Sequence, residues 1–218
     1  YSEMIRNGYT HVAEFHYLHH DKDGGTYNNI SEMGLRLISA AKTAGINITL
    51  VPIFYQKGGF GSDPLPDQRR FISQDISDYL KLYENSHESC KFYEYAEIGM
   101  GIHSMRAVQA SNIILLSELR KGSTPFHIHI SEQLKEIEDC TEFLGQRPVE
   151  WLADNIKLSE NFHLVHATHI NTNEIKKIAE SGANVVLCPS TEGNLGDGIF
   201  PIKPYLENKG KWSIGTDS

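Results

Sequence analysis

Seven strand-like runs alternate with helical stretches at intervals of roughly 30 residues, and several strands finish on a polar residue suited to catalysis. These observations predict an α/β fold: a parallel (β/α)8 TIM-type barrel, here incomplete and carrying strands two to eight. The alternation implies right-handed βαβ crossovers, which an open doubly wound sheet also satisfies. Useful residues at the ends of several non-adjacent strands favour the barrel, because an eight-stranded barrel gathers those ends around one mouth. His103, His129, His166 and Asp217 are expected there. Seven strands leave an unpaired edge, so a first strand is expected upstream of Tyr1.

Thr10 to Leu18 is rich in aromatic and β-branched residues and exits through Gly24-Gly25, which predicts the first strand. Ser31 opens a helix in which Met33, Leu37, Ile38, Ala41 and Ala44 recur at helical spacing before Gly45 stops it. Ile48 to Tyr55 is a nearly continuous apolar run, as in a strand buried on both faces. Past the Gly58–Gly61 loop, Pro66 is a plausible first helical residue, with Phe71, Ile72, Ile76, Tyr79, Leu80 and Tyr83 on one face.

Phe92 to His103 reads as the third strand with its exit, followed by a helix marked by Met105, Val108, Leu115, Leu116 and Leu119 and ended by Gly122. Thr124 to Ile130 is the fourth strand. Ser131 can cap a helix carrying Leu134, Ile137, Phe143 and Leu144, and Pro148 starts a shorter one through Trp151 and Leu152. Phe162 to Thr168 is the fifth strand, and Asn171 with Glu174 makes a capping-box start for the helix of Ile175 and Ile178. Ala183 to Pro189 is the sixth strand, Pro201 to Glu207 a short helix, and Trp212 to Thr216 the seventh strand.

The chain has 218 residues, 39% hydrophobic and 22% charged, enough for one sizeable core and one domain. A formal net charge of -8 argues against nucleic acid or an anionic membrane as partner, since both need a basic footprint. Cys90, Cys140 and Cys188 are odd in number, far apart and in no CxxC pair, so a disulfide framework is not expected and a reducing cytoplasm fits best. No run of about 18 apolar residues exists, and the first residues lack the apolar core of a signal peptide.

Phe126-His127-Ile128-His129-Ile130-Ser131-Glu132-Gln133 reads as a buried strand that ends by presenting an imidazole and a carboxylate. Imidazole is a good zinc ligand, and a nearby carboxylate off the metal can shuttle protons. A histidine pair of this kind is also compatible with core residues satisfied by backbone. Alternation puts His127 and His129 on one face, so only His129, nearer the strand end, should reach a site. His166 and Asp217 end two further strands and can together hold and deprotonate a water, although each alone is as well read as a capping or core polar group. His103 and Arg106 lie three residues apart at a strand-to-helix junction, where the guanidinium can take a carboxylate bidentately or make a surface ion pair. The polar run Pro189–Gly198 reads as a loop at the same face.

His129 with Glu132, then His166, then Asp217 resembles the amidohydrolase superfamily in its mononuclear deaminase branch. Glu14–Asp21, Gly101–Arg106, His127–Gln133 and Ser190–Gly198 are together similar to the formimidoylglutamate deiminase family of histidine degradation, and the resemblance spans essentially the whole chain. It implies zinc-dependent hydrolysis of N-formimino-L-glutamate to N-formyl-L-glutamate and ammonia by a cytoplasmic enzyme. His129 and Asp217 would be zinc ligands, and His166 and Asp217 would orient and deprotonate water. Glu132 would protonate the imino nitrogen. Tyr17, His103 and Arg106 would hold the small dicarboxylate substrate, and a homodimer is the one protein partner allowed for. The family also uses a His-x-His pair on the first barrel strand and a β-sandwich built from both termini, neither of which is found here. The 218 residues are therefore expected to be a partial barrel domain that alone binds zinc poorly and shows no turnover. A purine or pterin deaminase of the same branch, a non-catalytic barrel remnant and an open-sheet nucleotide binder are the alternatives.

Overall fold

The computed structural model describes residues 1–217. The chain divides into two compact units, Tyr1–His103 and the residues from Ser104 onward. The first holds α1 (Ser2–Arg6), β1 (His11–His16), α2 (Glu32–Ala44), β2 (Asn47–Phe54), α3 (Ile76–Cys90), β3 (Ala96–Ile98) and β4 (Met100–Ser104), with a 3-10 turn at Pro66–Gln68. β1, β3 and β4 all pair with β2 in parallel. β2 is buried from Ile48 to Phe54, as its unbroken apolar run requires. Its Pro52 leaves a carbonyl inside the core, which accepts a hydrogen bond from the Tyr79 hydroxyl at 3.0 Å. Ile38, Ala41, Ile46, Ile48, Leu50, Cys90 and Tyr93 form the core between α2, β2 and the end of α3.

The second unit holds α4 (Ala110–Leu119), β5 (Phe126–Ile130), α5 (Leu134–Leu144), α6 (Pro148–Asn155), β6 (Phe162–His166), α7 (Thr172–Ser181), β7 (Asn184–Leu187), α8 (Pro189–Leu195), α9 (Ile202–Glu207) and β8 (Lys211–Ile214). Here the strands lie in sequence order, each parallel to the next. That order, with no reversal, is the one a (β/α) barrel uses and a doubly wound sheet does not. The predicted α/β class and the incomplete barrel therefore stand. No helix among the described residues is long and apolar enough to cross a membrane. The three cysteines are free and buried, and burial pushes each thiol up to about 12.

Several boundaries differ from the sequence reading. The third strand is two short strands broken at Gly99, whose N–H turns to the Leu50 carbonyl at 2.8 Å. α3 starts at Ile76 rather than near Pro66, because Asp75 caps it by accepting the Asp78 N–H; Phe71 and Ile72 precede it. Met105 and Val108 are buried before α4 begins. Ser131 is not the cap of α5; that position is Gln133. α5 buries Glu136, Ile137 and Cys140, so of the apolar residues expected on its face Ile137 is buried as expected while Leu134, at 63%, and Phe143, at 57%, stand exposed. Pro189–Leu195, expected as strand end and loop, is a helix with Pro189 at its first position and Gly196, at φ 71°, closing it. The capping box of Asn171 and Glu174 is present as expected.

Candidate active site

The ends of β5, β6 and β8 bring four of the expected residues together. His129 Nε2 lies 3.6 Å from Asp217 Oδ1, and His166 Nε2 lies 3.8 Å from Asp217 Oδ2 and 3.6 Å from Glu132 Oε1. The two imidazoles stack with centroids 5.3 Å apart. His127, on the same face of β5, instead stacks on His163 at 4.4 Å, and burial holds its pKa well below the ordinary imidazole value. The bond with His129 pulls the Asp217 carboxyl below the usual range. Glu132 moves the other way: burial raises its pKa against the opposing pull of His166, while Asp197 and Glu136 push it further up and Arg106 holds it down.

The backbone at these strand ends is strained. Among the described residues, four of the five non-glycines at positive φ are Ser131, His166, Ala167 and Asp217, at 52°, 69°, 51° and 53°. Each left-handed residue costs on the order of 1–3 kcal/mol, a cost that clusters where a structure holds reactive groups in place.

Two carboxylates unassigned in the sequence support the site. Glu192 Oε1 accepts the Cys188 N–H at 2.8 Å and lies 3.2 Å from His166 Nδ1, so it faces the side of the imidazole turned away from Asp217. Glu136 accepts the N–H groups of Ser131 and Glu132. Both residues lie within or beside quoted motif blocks, but only the folded backbone shows their partners. Gln133 donates to Asp197 Oδ1 at 2.9 Å, tying the segment after β5 to the one after α8. Arg106 is half-buried between β4 and α4; its charge acts on Glu132 and Glu136, with no hydrogen bond or ion pair holding it among the described residues.

In the first unit, Tyr17 and His103 share an aromatic cluster. Their centroids are 5.1 Å apart at 81°, Phe71 is 5.0 Å from Tyr17, and Tyr55 is 4.5 Å from His103. The neighbouring His16 and His19 are buried with rings 5.0 Å apart, and His19 Nε2 meets the Ile53 carbonyl at 2.9 Å. Burial lowers the pKa of both, that of His19 to about 4.

His129, His166 and Asp217 each offer one ligand atom, all within 4.8 Å of one another. Two imidazole nitrogens and a carboxylate oxygen suit zinc, around which ligand atoms at 2.0–2.2 Å stand about 3.4 Å apart. The 3.6 Å separation of His129 Nε2 and Asp217 Oδ1 fits such an ion, and His166 Nε2, 3.8 Å from the other Asp217 oxygen, lies beside it.

Parallel βα units with imidazoles and carboxylates gathered at their strand ends are the arrangement of hydrolase barrels. The chain belongs to the amidohydrolase family, whose profile matches residues 1–218. It is 44% identical to formimidoylglutamate deiminase of Pseudomonas aeruginosa, covering 100% of this chain and 48% of that protein. It is 25% identical to the 5-methylthioadenosine/S-adenosylhomocysteine deaminase of Acetivibrio thermocellus, covering 99% and 44%. An amidohydrolase from Brucella melitensis shares the structure with a TM-score of 0.93 at 43% identity, over 100% of this chain and 48% of that one. An adenosine deaminase from Xanthomonas campestris with bound zinc shares the fold with a TM-score of 0.77 at 21% identity, over 100% and 44%. The chain spans about half the length of the curated relatives it matches.

Proposed function

We propose that the protein carrying this chain is a cytoplasmic, zinc-dependent enzyme of histidine degradation that hydrolyses N-formimino-L-glutamate to N-formyl-L-glutamate and ammonia. The observation that carries this reading is the 44% identity over the whole chain with a formimidoylglutamate deiminase. The site supplies groups with the right chemistry. His129 and Asp217 would hold zinc, which supplies the Lewis acidity that lets water lose a proton near neutral pH.

The chain's own groups then divide the proton work. His166 and Asp217 orient the attacking water and take its proton as its oxygen bonds to the formimino carbon. Glu132, whose burial favours the protonated carboxyl at the start, gives its proton to the imino nitrogen. The resulting amino group takes a second proton, the one still on the added hydroxyl; the C–N bond breaks with its electron pair leaving on ammonia, the carbon keeps the oxygen as a formyl group, and the proton held by His166 and Asp217 returns to Glu132. Glu192 steadies His166 from its other nitrogen. Tyr17 and His103 of the first unit, and Arg106 of the second, serve the substrate, Arg106 through a carboxylate.

Arg106 separates this reading from a purine deaminase with the same centre. In the full protein Arg106→Met should lower kcat/KM for N-formimino-L-glutamate by about 3 kcal/mol, through loss of a charge-assisted pair. Unchanged kinetics on that substrate would remove Arg106 from its recognition.

A further inference from the structure

Glu136 stands at the third residue of α5, only 1% exposed. An acidic residue there ordinarily reaches back to the N–H of the capping residue. Glu136 passes that position. Its Oε1 accepts the Ser131 N–H at 3.0 Å and its Oε2 the Glu132 N–H at 3.1 Å. These amides lie between the end of β5 at Ile130 and the cap of α5 at Gln133, where neither ladder nor helix can use them. Ser131 there is left-handed at φ 52°, so the turn needs outside support. Each of the two successive amide hydrogens meets its own carboxylate oxygen, whereas a glutamine would turn its NH2 donor toward one of them. That explains why a charge is kept in so buried a place.

We propose that Glu136 is a positioning residue for Glu132: by holding the Ser131 and Glu132 amides it fixes the turn that sets the Glu132 carboxylate 3.6 Å from His166. The proposal rests on the reading of Glu132 as the proton donor. Glu136 touches no reacting atom, and its effect passes through one neighbour.

The test is a cycle of Glu136→Ala, Glu132→Gln and the double variant in the zinc-loaded full protein, with kcat, KM and thermal unfolding measured on each. Glu136→Ala should lower kcat on the order of 100-fold, the cost of a misplaced catalytic group, while KM changes little. In the Glu132→Gln background the same substitution should change kcat by no more than about twofold. An equal loss in both backgrounds, an effect confined to KM, or an unchanged kcat would each overturn the proposal. If Glu136→Ala does not fold, Glu136→Gln, which keeps one acceptor, takes its place and should show a smaller loss that also vanishes beside Glu132→Gln. Glu132→Gln alone reports on the underlying reading, so the two failures are distinguishable.

Discussion

Glu132→Gln should lower kcat by about 10²- to 10⁴-fold, the range a positioned general acid contributes, with KM and thermal stability nearly unchanged. The replacement keeps shape and removes the proton that ammonia needs in order to leave. Glu132 is suited to hold that proton because burial and the nearby carboxylates of Asp197 and Glu136 raise its pKa. Its 3.6 Å separation from His166 places it beside the imidazole proposed to handle the attacking water. Steady-state ammonia release measures the effect, and a loss below tenfold would take the donor role from Glu132.

The second large effect is on stability. His16 and His19 are buried, and burial depresses the folded-state pKa of both, His19 from 6.5 to about 4. Below pH 6.5 the unfolded chain binds a proton at each imidazole that the folded chain refuses, so stability is full above that pH and falls as pH falls. At up to about 1.4 kcal/mol per pH unit, lowering the pH from 6.5 to 5.0 should remove about 1.5 kcal/mol through His19 alone, with His16 and His127 adding loss in the same direction. Glu14 and Glu136, whose carboxyls burial raises, offset part of this as the pH nears 5. Urea unfolding at pH 7.5 and 5.0 checks it. An unchanged midpoint would mean that these histidines are protonated in the folded protein, and His19→Gln should flatten the dependence.

What could be read from the chain follows the range of the interactions involved. β2 and β5 were legible because burial on both faces writes an unbroken apolar run. Alternation puts His127 and His129 on one face of β5, nearness to the strand end selects His129, and it is His129 that meets Asp217. α4 and α5 were harder. Their apolar residues occur on more than one face, and only packing decides that Leu116 is buried while Leu119, Leu134 and Phe143 face outward. Pro189 was read as the end of a strand although proline also suits the first turn of a helix, and the helix prevails. Glu192 bonding to His166 spans 26 positions, a relation with no local signature. Glu136 lies four and five residues from its partners, but its role depends on the left-handed turn at Ser131, which a serine does not announce.

The central claim is hydrolytic deimination, and product analysis on the full, zinc-loaded protein tests it most directly. N-formimino-L-glutamate should be converted to N-formyl-L-glutamate and ammonia in equal amounts, followed together by NMR and an ammonia assay. Deamination of a purine nucleoside with no N-formyl-L-glutamate formed would contradict the account.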